Sequence, residues 1–354
     1  MMSLLPFLLL ILQAILFQIF YSYLLLPKYR HRYENLISNR KEKIMEKLNF
    51  LEFVDAVKSE IENKMGENVR IDIHDTVKNN GVTYKACSVI RKDSCASPNL
   101  RLDDFYEKYL DTYDLPTVAE EMVYVFKKYG NPQIDIRGFE CFEQAKDRII
   151  IKLVSYEENK DRLRDIPYTP FLDLAITFCY VISRNNSTGT KASIQIENEH
   201  LAMWGIDKNI LYQIAMKNSV HLMPLRVNNM DDVIVEMLLH KGIEADGIRQ
   251  DMENIQKEMP MYILSNQENY FGASVICYPG ALKQIAEKTG TDLIVLPSSI
   301  HEVIVLPVRE DYHEMNNMIQ DINRDQVAKE EVLSDHFYYY NYSSEKLMIP
   351  SVSF

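Results

Sequence analysis

The stretch LPSSIHEVIVLP, residues 296–307, sets two serines, a histidine and a glutamate between two apolar runs. With the residues before it, these runs read LIVLP and VIVLP, so they match closely and both end in proline. Short apolar runs on either side of a polar turn predict a buried antiparallel hairpin. This stretch therefore indicates that a β-sheet forms much of the C-terminal part of the chain.

The polar residues of the same stretch are the best candidates for chemistry. Alternate side chains of a strand lie on opposite faces, so His301 and Glu302 point apart and do not form an acid–base pair. The segment HEVIV lacks the second histidine of HExxH, and no G-x-S-x-G elbow surrounds Ser298 or Ser299. A polar turn is the favoured interpretation. The alternative is a hydrolase that pairs Ser298 or Ser299 with His301 and takes a further carboxylate from elsewhere.

Composition and charge exclude several classes of protein. The 354 residues suffice for two modest domains, and 47% hydrophobic with 25% charged residues is typical of a folded chain. Only 11 residues are glycine, which disfavours Gly-rich phosphate loops. Residues 1–44 carry a net charge of +4 and the whole chain −12, so the remainder carries −16. Because such an acidic body repels a phosphate backbone, we expect no nucleic-acid partner.

The cysteines do not form a recognisable framework. There are five, an odd number with wide spacing and no C-x-x-C pair, which predicts free thiols in a reducing compartment. They are Cys87, Cys95, Cys141, Cys179 and Cys277. We therefore expect no disulfide scaffold, no zinc site and no other cofactor.

The segment from Leu4 to Leu26 is apolar and carries no charge over 23 residues. At about 1.5 Å per residue it spans about 35 Å, enough to cross a bilayer core of about 30 Å. The basic KYRHR follows at once, and the positive-inside rule places that flank in the cytoplasm. This predicts an inner-membrane anchor over residues 1–27 with its N-terminus outside, a basic linker over 28–44, and a cytoplasmic body.

A second interpretation is that translation starts at Met45, where a well-formed first helix begins. Lys41-Glu42 can be encoded as AAG GAG, a bacterial ribosome-binding sequence, and two codons separate it from that of Met45. Both interpretations place the body in the cytoplasm, and membrane contact is expected through the apolar segment only.

We expect an N-terminal α+β lobe over residues 45–160. VRIDIHDTV and VTYKACSVI alternate around Asn79-Asn80-Gly81, which predicts a hairpin with His74 as a solvated strand residue. Before it, apolar side chains repeat at helical spacing and predict a helix with one core-facing stripe. That stripe comprises Leu48, Leu51, Val54, Val57 and Ile61.

A C-terminal α+β lobe is expected over residues 161–342, followed by a tail over 343–354. The charged EENKDRLRD suggests a soft boundary near residues 155–165. Helices are predicted in MDDVIVEMLLHKG, PGALKQIAEKTG and DYHEMNNMIQDINRDQ, and strands in MYILSN and HFYYYNY. The fold class is therefore α+β, with mixed sheets and packed helices in two lobes.

Three weaker signals have structural explanations. Thr188-Gly189-Thr190-Lys191 echoes a phosphate loop, but its flanks predict hairpin strands instead of a strand and a helix. Trp204, the only tryptophan, is favoured as a core plug over a ligand platform. Methionines recur every seven residues from Met216 to Met237, and core filling explains them better than a binding groove.

The run from Met261 to Pro307, with EVLSDHFYYY after it, resembles the C-terminal half of an uncharacterised family of cytoplasmic proteins from anaerobic bacteria. NFLEFVDAV, the NNG hairpin and IPYTPFLDLAITFCYVI are similar to earlier segments of that family. The resemblance covers about residues 46–340, and members usually begin where Met45 stands. The family is a domain of unknown function, so the resemblance implies no activity, cofactor or site residue.

These observations favour a non-enzymatic protein-binding or regulatory module in the cytoplasm. No residue is assigned a catalytic, cofactor-binding or metal-ligating role. The partner is expected to be another protein, and the Ser298 or Ser299 hydrolase with His301 remains the alternative.

Overall fold

A computed structural model of the chain describes residues 47–66, 69–91, 97–129, 137–185, 190–240, 256, 260–308 and 315–350. Its contacts divide the chain between residues 135 and 136. We call the described residues before this point the N-terminal unit and those after it the C-terminal unit.

The N-terminal unit contains three helices and an antiparallel sheet of order β1-β2-β3 among its described residues. The elements are α1 (Phe50–Met65), β1 (Val69–Val77), β2 (Thr83–Arg91), β3 (Leu100–Arg101), α2 (Leu102–Thr112) and α3 (Leu115–Tyr129).

Helix α1 begins with a capping box. The Asn49 side chain accepts the N–H groups of Leu51 and Glu52, and the Glu52 carboxylate accepts the N–H of Asn49. The core-facing residues are Phe53, Val54, Val57 and Ile61. The predicted stripe is thus correct for Val54, Val57 and Ile61, and Leu48 packs on the same core just before the helix, but Leu51 is 65% exposed. At 3.6 residues per turn, Leu51 lies about a quarter turn away from the centre of the buried face and therefore points to solvent.

The predicted hairpin is confirmed, since β1 and β2 pair in register from Val69↔Arg91 to Val77↔Thr83. Asn80 and Gly81 both have a positive φ, of 58° and 65°. These are the residue types that adopt a left-handed backbone at low cost, which is why this sequence turns here.

The C-terminal unit holds the remaining elements. Its helices are α4 (Phe142–Ala145), α5 (Asn198–Trp204), α6 (Lys208–Leu222), α7 (Met230–His240), α8 (Ala281–Thr289) and α9 (Met315–Asp325). Its strands are β4 (Ile149–Ser155), β5 (Thr169–Phe171), β6 (Leu174–Asn185), β7 (Thr190–Gln195), β8 (Leu225–Asn229), β9 (Tyr262–Asn266), β10 (Leu293–Leu296), β11 (Val303–Pro307), β12 (Tyr338–Asn341) and β13 (Lys346–Met348).

A four-stranded antiparallel sheet is built around the long strand β6. Strand β4 pairs with it on one side, and β5 and β7 pair with it on the other. The charged segment at residues 155–165 therefore lies inside the C-terminal unit, because β4 and β6 on its two sides are paired over seven positions. Helix α6 packs on β4, where the Ser219 hydroxyl accepts the N–H of Ile151 at 2.8 Å.

A six-stranded antiparallel sheet has the order β13-β12-β10-β11-β9-β8. The predicted hairpin is its centre, with Leu293 opposite Pro307 and Leu296 opposite Ile304. Every residue of β10 and β11 is buried, because both faces of the sheet are covered. One face packs in the same core as the four-stranded sheet, through Tyr262, Leu264, Leu293, Val295, Val303 and Val305. The other packs on α7 and α9, through Ile263, Ile294, Leu296, Ile304 and Leu306.

The α+β class is therefore confirmed. The predicted anchor over residues 1–27 and the linker over 28–44 lie outside the described residues. Among the described residues, no helix has the length and apolar character needed to cross a bilayer. Residues 346–348 of the predicted tail form β13, which pairs with β12.

Candidate functional site

The turn between β10 and β11 gathers the polar residues that the sequence singled out. We call this group the turn cluster. It comprises Ser298, Ser299, His301 and Glu302 of the turn, Arg226 of β8, and Glu331 of the 3-10 helix Lys329–Glu331.

Main-chain bonds fix the turn itself. The N–H of Ser299 donates to the carbonyl of Glu302 at 3.2 Å, and the N–H of Ile300 donates to the carbonyl of Glu331 at 2.9 Å. The Ser299 Oγ accepts the N–H of His301 at 3.0 Å. One serine is thus part of the turn's own framework, as a short polar side chain commonly is.

Gly272 lies against the turn at a distance that only glycine allows. A Cβ at this position would come within 2.1 Å of the Ser265 Oγ and 2.2 Å of the His301 carbonyl oxygen. The Ser265 Oγ also donates to that carbonyl at 2.8 Å. Strand β9, the turn and the 3-10 helix Gly272–Cys277 therefore meet in one tightly packed corner.

The loop QENYFG, which joins β9 to that 3-10 helix, stores backbone strain. Asn269 and Phe271 have positive φ values of 48° and 53°. A left-handed backbone costs about 1–2 kcal/mol at a residue other than glycine, so contacts must hold it. Asn266 accepts the N–H of Tyr270, and Arg226 donates through Nη2 to the Asn269 Oδ1 at 2.6 Å.

The His301 ring is engaged at both nitrogens. Its Nδ1 accepts the N–H of Phe271 at 3.3 Å, and its Nε2 lies 3.8 Å from the Glu331 Oε1. The ring also stacks on Phe271, with centroids 6.1 Å apart and planes 14° apart. Because Nδ1 accepts a hydrogen bond, the proton of the neutral imidazole is on Nε2, towards Glu331.

Two carboxyl groups of the turn cluster are poised to hold protons near neutrality. Burial raises the pKa of Glu302 to about 7, with Arg226 opposing the shift and Glu331 adding to it. Burial also raises the pKa of Glu331 to about 7, and Glu330 adds to that shift. Arg226 pairs with Ser265 across β8 and β9, and Leu264 pairs with Val303, which brings Glu302 to the strand end beside Arg226.

The serines do not reach the imidazole. The Ser298 Oγ is buried and has no hydrogen-bond partner within the described part of the chain, and Ser299 bonds the His301 main chain. The structure does bring a further carboxylate, Glu331, to His301. The predicted separation of His301 from Glu302 agrees with these contacts, since the carboxyl group that lies near the His301 ring is that of Glu331.

A second polar cluster was not foreseen from the sequence. We call it the staple cluster, because it ties the β5–β6 turn to the segment that leads into β12. Asp173 accepts the Tyr338 hydroxyl at 2.8 Å and the Ser334 hydroxyl at 3.2 Å, and its Oδ2 lies 3.1 Å from the His336 Nε2. No local pattern could reveal it, because more than 160 residues separate Asp173 from its partners.

The staple cluster shifts Asp173 and His336 towards their charged forms. Burial alone would raise the pKa of Asp173, but hydrogen bonds from His336 and Tyr338 outweigh it and hold the pKa below its usual range. The bond to Asp173 raises the pKa of His336 in spite of burial. The other ring nitrogen of His336, Nδ1, lies 3.0 Å from the Phe337 carbonyl oxygen, so each ring nitrogen has an oxygen within hydrogen-bonding distance.

The other candidates have structural roles. The Trp204 indole is 9% exposed and donates to the Phe139 carbonyl at 2.8 Å, so the core plug is confirmed. Thr190 and Lys191 of the phosphate-loop echo begin β7 and pair with β6, and Thr188 and Gly189 lie outside the described residues. His74 lies 2.9 Å from an Asp72 carboxylate oxygen on a partly exposed strand face.

No metal centre is formed by the described residues, where no group of three or more His, Cys, Asp or Glu side chains converges. Burial raises the pKa of the Cys87 thiol to about 12 and also raises that of Cys179 and Cys277. Burial thus favours the protonated thiol at all three positions.

The fold and its two clusters define an α+β protein whose C-terminal unit packs two antiparallel sheets on a shared apolar core and carries a polar cluster at a turn of each sheet. The sequence model of a family of unknown function, DUF5688, matches residues 50–342. The chain belongs to that family, which confirms the resemblance to an uncharacterised domain. No protein of curated function and no solved structure matches it.

Proposed function

We propose that the chain is a non-enzymatic module that binds another protein in the cytoplasm. The observation that supports this proposal is the use that the turn cluster makes of its polar groups. His301 accepts the N–H of Phe271, Ser299 accepts that of His301, and Ser265 donates to the His301 carbonyl. A hydrolase would direct its imidazole and hydroxyl groups at a substrate. In this protein the same groups bond the main chain of the turn and of the neighbouring loop.

The surface adds support for a protein partner. The body is acidic, which disfavours nucleic acid. Tyrosine is enriched at protein interfaces because its ring gives a large contact area with a polar tip. Three tyrosines of the N-terminal unit, Tyr113, Tyr124 and Tyr129, are between 43% and 50% exposed.

One observation favours the hydrolase alternative: the Glu331 carboxylate lies 3.8 Å from the His301 Nε2. A Ser–His–acid site needs the hydroxyl on one ring nitrogen and the acid on the other. In this protein the second nitrogen, Nδ1, accepts the N–H of Phe271. Ser298 or Ser299 would have to displace that bond before His301 could act as a base.

A fluorophosphonate probe distinguishes the two proposals. It labels serines that a neighbouring base activates, so we expect no labelling of the purified chain. Labelling that disappears in Ser298→Ala or Ser299→Ala, and in His301→Gln, would establish the hydrolase and overturn the binding module.

Affinity capture tests the binding module directly. The tagged chain is expressed at its natural level and cross-linked in living cells, and captured proteins are quantified by mass spectrometry. We expect one protein at near-stoichiometric yield, equally with wild type and with His301→Gln. The absence of any protein above the level captured by an unrelated acidic control chain would contradict the proposal.

The location is part of the same proposal. The basic residues 28–44 after the apolar segment Leu4 to Leu26 support a cytoplasmic body and a membrane contact through that segment only. Mass spectrometry of N-terminal peptides from the membrane fraction tests it. A chain that begins at Met45 in every fraction would remove the membrane contact.

A further inference from the structure

The C-terminal half of α3 carries a group of exposed aromatic and basic side chains. We call it the Tyr–Lys surface and define it as Tyr124, Lys127, Lys128 and Tyr129. The opposite side of the helix is buried in the N-terminal unit through Val118, Ala119, Met122, Val123 and Phe126. The surface is therefore the outer side of a helix that the core holds firmly.

Contacts within the surface keep its side chains together. The Lys128 Nζ lies 5.5 Å from the Tyr124 ring centroid and 5.0 Å from the Tyr129 ring centroid. The tyrosine rings are 50% and 43% exposed in spite of this contact. A cation held between two aromatic rings is a pre-organised contact, so a partner would order few side chains on binding.

The charges of α3 are balanced in its first half and unbalanced in its second. Glu120 pairs with Lys64 of α1 at 2.9 Å, and Glu121 pairs with Lys108 of α2. Neither Lys127 nor Lys128 has a carboxylate partner among the described residues. The surface is thus a positive area on residues 45–135, which together hold 12 basic and 17 acidic side chains.

Lysines near a helix C-terminus also have a structural explanation, because they favour the negative end of the helix dipole. At this helix end, however, Arg91 of β2 already donates through Nη2 to the Phe126 carbonyl at 3.3 Å. The dipole also gives no reason for two exposed tyrosine rings beside the lysines. The combination of charge and aromatic area fits an interface better than a cap.

We propose that the Tyr–Lys surface binds an acidic segment of a partner protein, whose carboxylates pair with Lys127 and Lys128 and whose apolar side chains pack on Tyr124 and Tyr129. This inference rests on the proposed function and adds the position of the interface and the chemistry of the partner. The other residues of the range 45–135 hold more acidic than basic side chains, which disfavours binding of such a segment elsewhere on them.

Binding of a defined probe tests the surface. The probe is a short fluorescent peptide that alternates glutamate with leucine, and its anisotropy is followed with the full chain at physiological ionic strength. We expect the double reversal K127E/K128E to weaken binding at least tenfold, and Y124A/Y129A to weaken it about fivefold. A matched reversal on α6, K208E/K217E, changes the net charge equally and should leave binding within about twofold.

Several outcomes would overturn the proposal. They are the absence of peptide binding by the wild type, equal loss in K208E/K217E, and equal binding of a peptide with glutamine in place of glutamate. Equal or tighter binding of oligothymidylate, lost in K127E/K128E, would assign the surface to phosphate. A dimer in sedimentation that K127E/K128E abolishes would assign it to a second copy of the chain.

The result also separates this inference from the proposed function. If the partner captured from cells is bound equally by wild type and K127E/K128E, the chain binds a protein through another surface and only the inference fails. Circular dichroism with an unchanged unfolding midpoint checks that each variant folds.

Discussion

In the staple cluster, the Asp173 carboxylate accepts hydrogen bonds from two hydroxyl groups and faces the His336 ring. In the turn cluster, the Glu302 carboxyl group has Arg226 on one side and a second carboxyl group, Glu331, nearby. Both clusters contain serine, histidine and an acid in one unit. Their ionisation nevertheless moves in opposite directions, because only the staple cluster supplies enough donors to stabilise its charge.

The carboxyl groups of the two clusters give opposite dependences of stability on pH. Asp173 has a lowered pKa, so its contribution is present above pH 3.8, its unfolded value, and is lost as pH falls through the folded value. His336 has a raised pKa, so its contribution is present below pH 6.5 and is lost as pH rises through the folded value. Glu302 and Glu331 have raised values of about 7, so the folded state loses stability as pH rises from 4.5 through 7.

The largest effect is expected from a substitution that introduces a steric clash into the turn cluster. In Gly272→Ala the new Cβ would lie 2.2 Å from the His301 carbonyl oxygen, a main-chain atom that cannot rotate away. We expect a loss of about 4 kcal/mol in the free energy of unfolding, in the range of severe core strain. Urea unfolding followed by the fluorescence of Trp204 reports on this unit.

Gly138→Ala is the matched control, since the closest atom to its Cβ would be the Gln144 Oε1 at 3.5 Å. It should cost less than about 1 kcal/mol. Equal costs in the two variants would show that the turn corner is not tightly packed.

The second prediction breaks the staple cluster. Asp173→Asn keeps the shape but removes the charge that faces His336 and Tyr338. We expect a loss of about 3 kcal/mol at pH 6, because donors to a charged acceptor are left poorly paired. The variant should also lose the part of the pH dependence that lies below 3.8 and above 6.5. An unchanged dependence in both windows would contradict the ion pair.

The sequence predicted the turn cluster far better than the staple cluster. Strand alternation and the two matching apolar runs identified the β10–β11 hairpin, and the polar residues between them were visible as neighbours in the chain. The role of Glu331 was not visible, because it arrives from a separate 3-10 helix through the Ile300–Glu331 main-chain bond.

The staple cluster depends on tertiary contacts alone. Asp173 stands in an ordinary two-residue turn between β5 and β6, and only the packing of two sheets brings Tyr338 to it. The continuous apolar runs of β10 and β11 are also explained by packing, since both faces of an antiparallel sheet are covered. Local sequence patterns therefore predicted the helices and strands, whereas the order of the strands within each sheet is known only from the structure.

The third prediction tests the turn cluster's electrostatics. Glu302→Gln imitates the protonated form, which the fold favours because burial raises the pKa of Glu302 to about 7. We expect the variant to be about 3 kcal/mol more stable than wild type at pH 8 and less than about 1 kcal/mol more stable at pH 5, as the shift of the pKa from 4.5 to about 7 implies. The measurement is the difference in urea midpoints across this pH range.

Glu287→Gln on the exposed side of α8 is the control and should show no such trend. If Glu302→Gln is less stable than wild type at pH 8, the attraction of Arg226 outweighs burial. Both clusters would then stabilise the charged form of their carboxyl groups.

The smallest effects are expected when one serine hydroxyl is removed from each cluster and the changes in the free energy of unfolding are compared. The Ser334 hydroxyl donates to Asp173 at 3.2 Å, so Ser334→Ala should cost about 1 kcal/mol. The Ser298 hydroxyl is buried and has no partner among the described residues, so Ser298→Ala should be neutral or stabilising by up to about 1 kcal/mol. Both values come from urea unfolding at pH 6. A cost for Ser298→Ala equal to that of Ser334→Ala would mean that this hydroxyl is bonded in solution, and the contrast between a fully satisfied staple and an incompletely satisfied turn would then disappear.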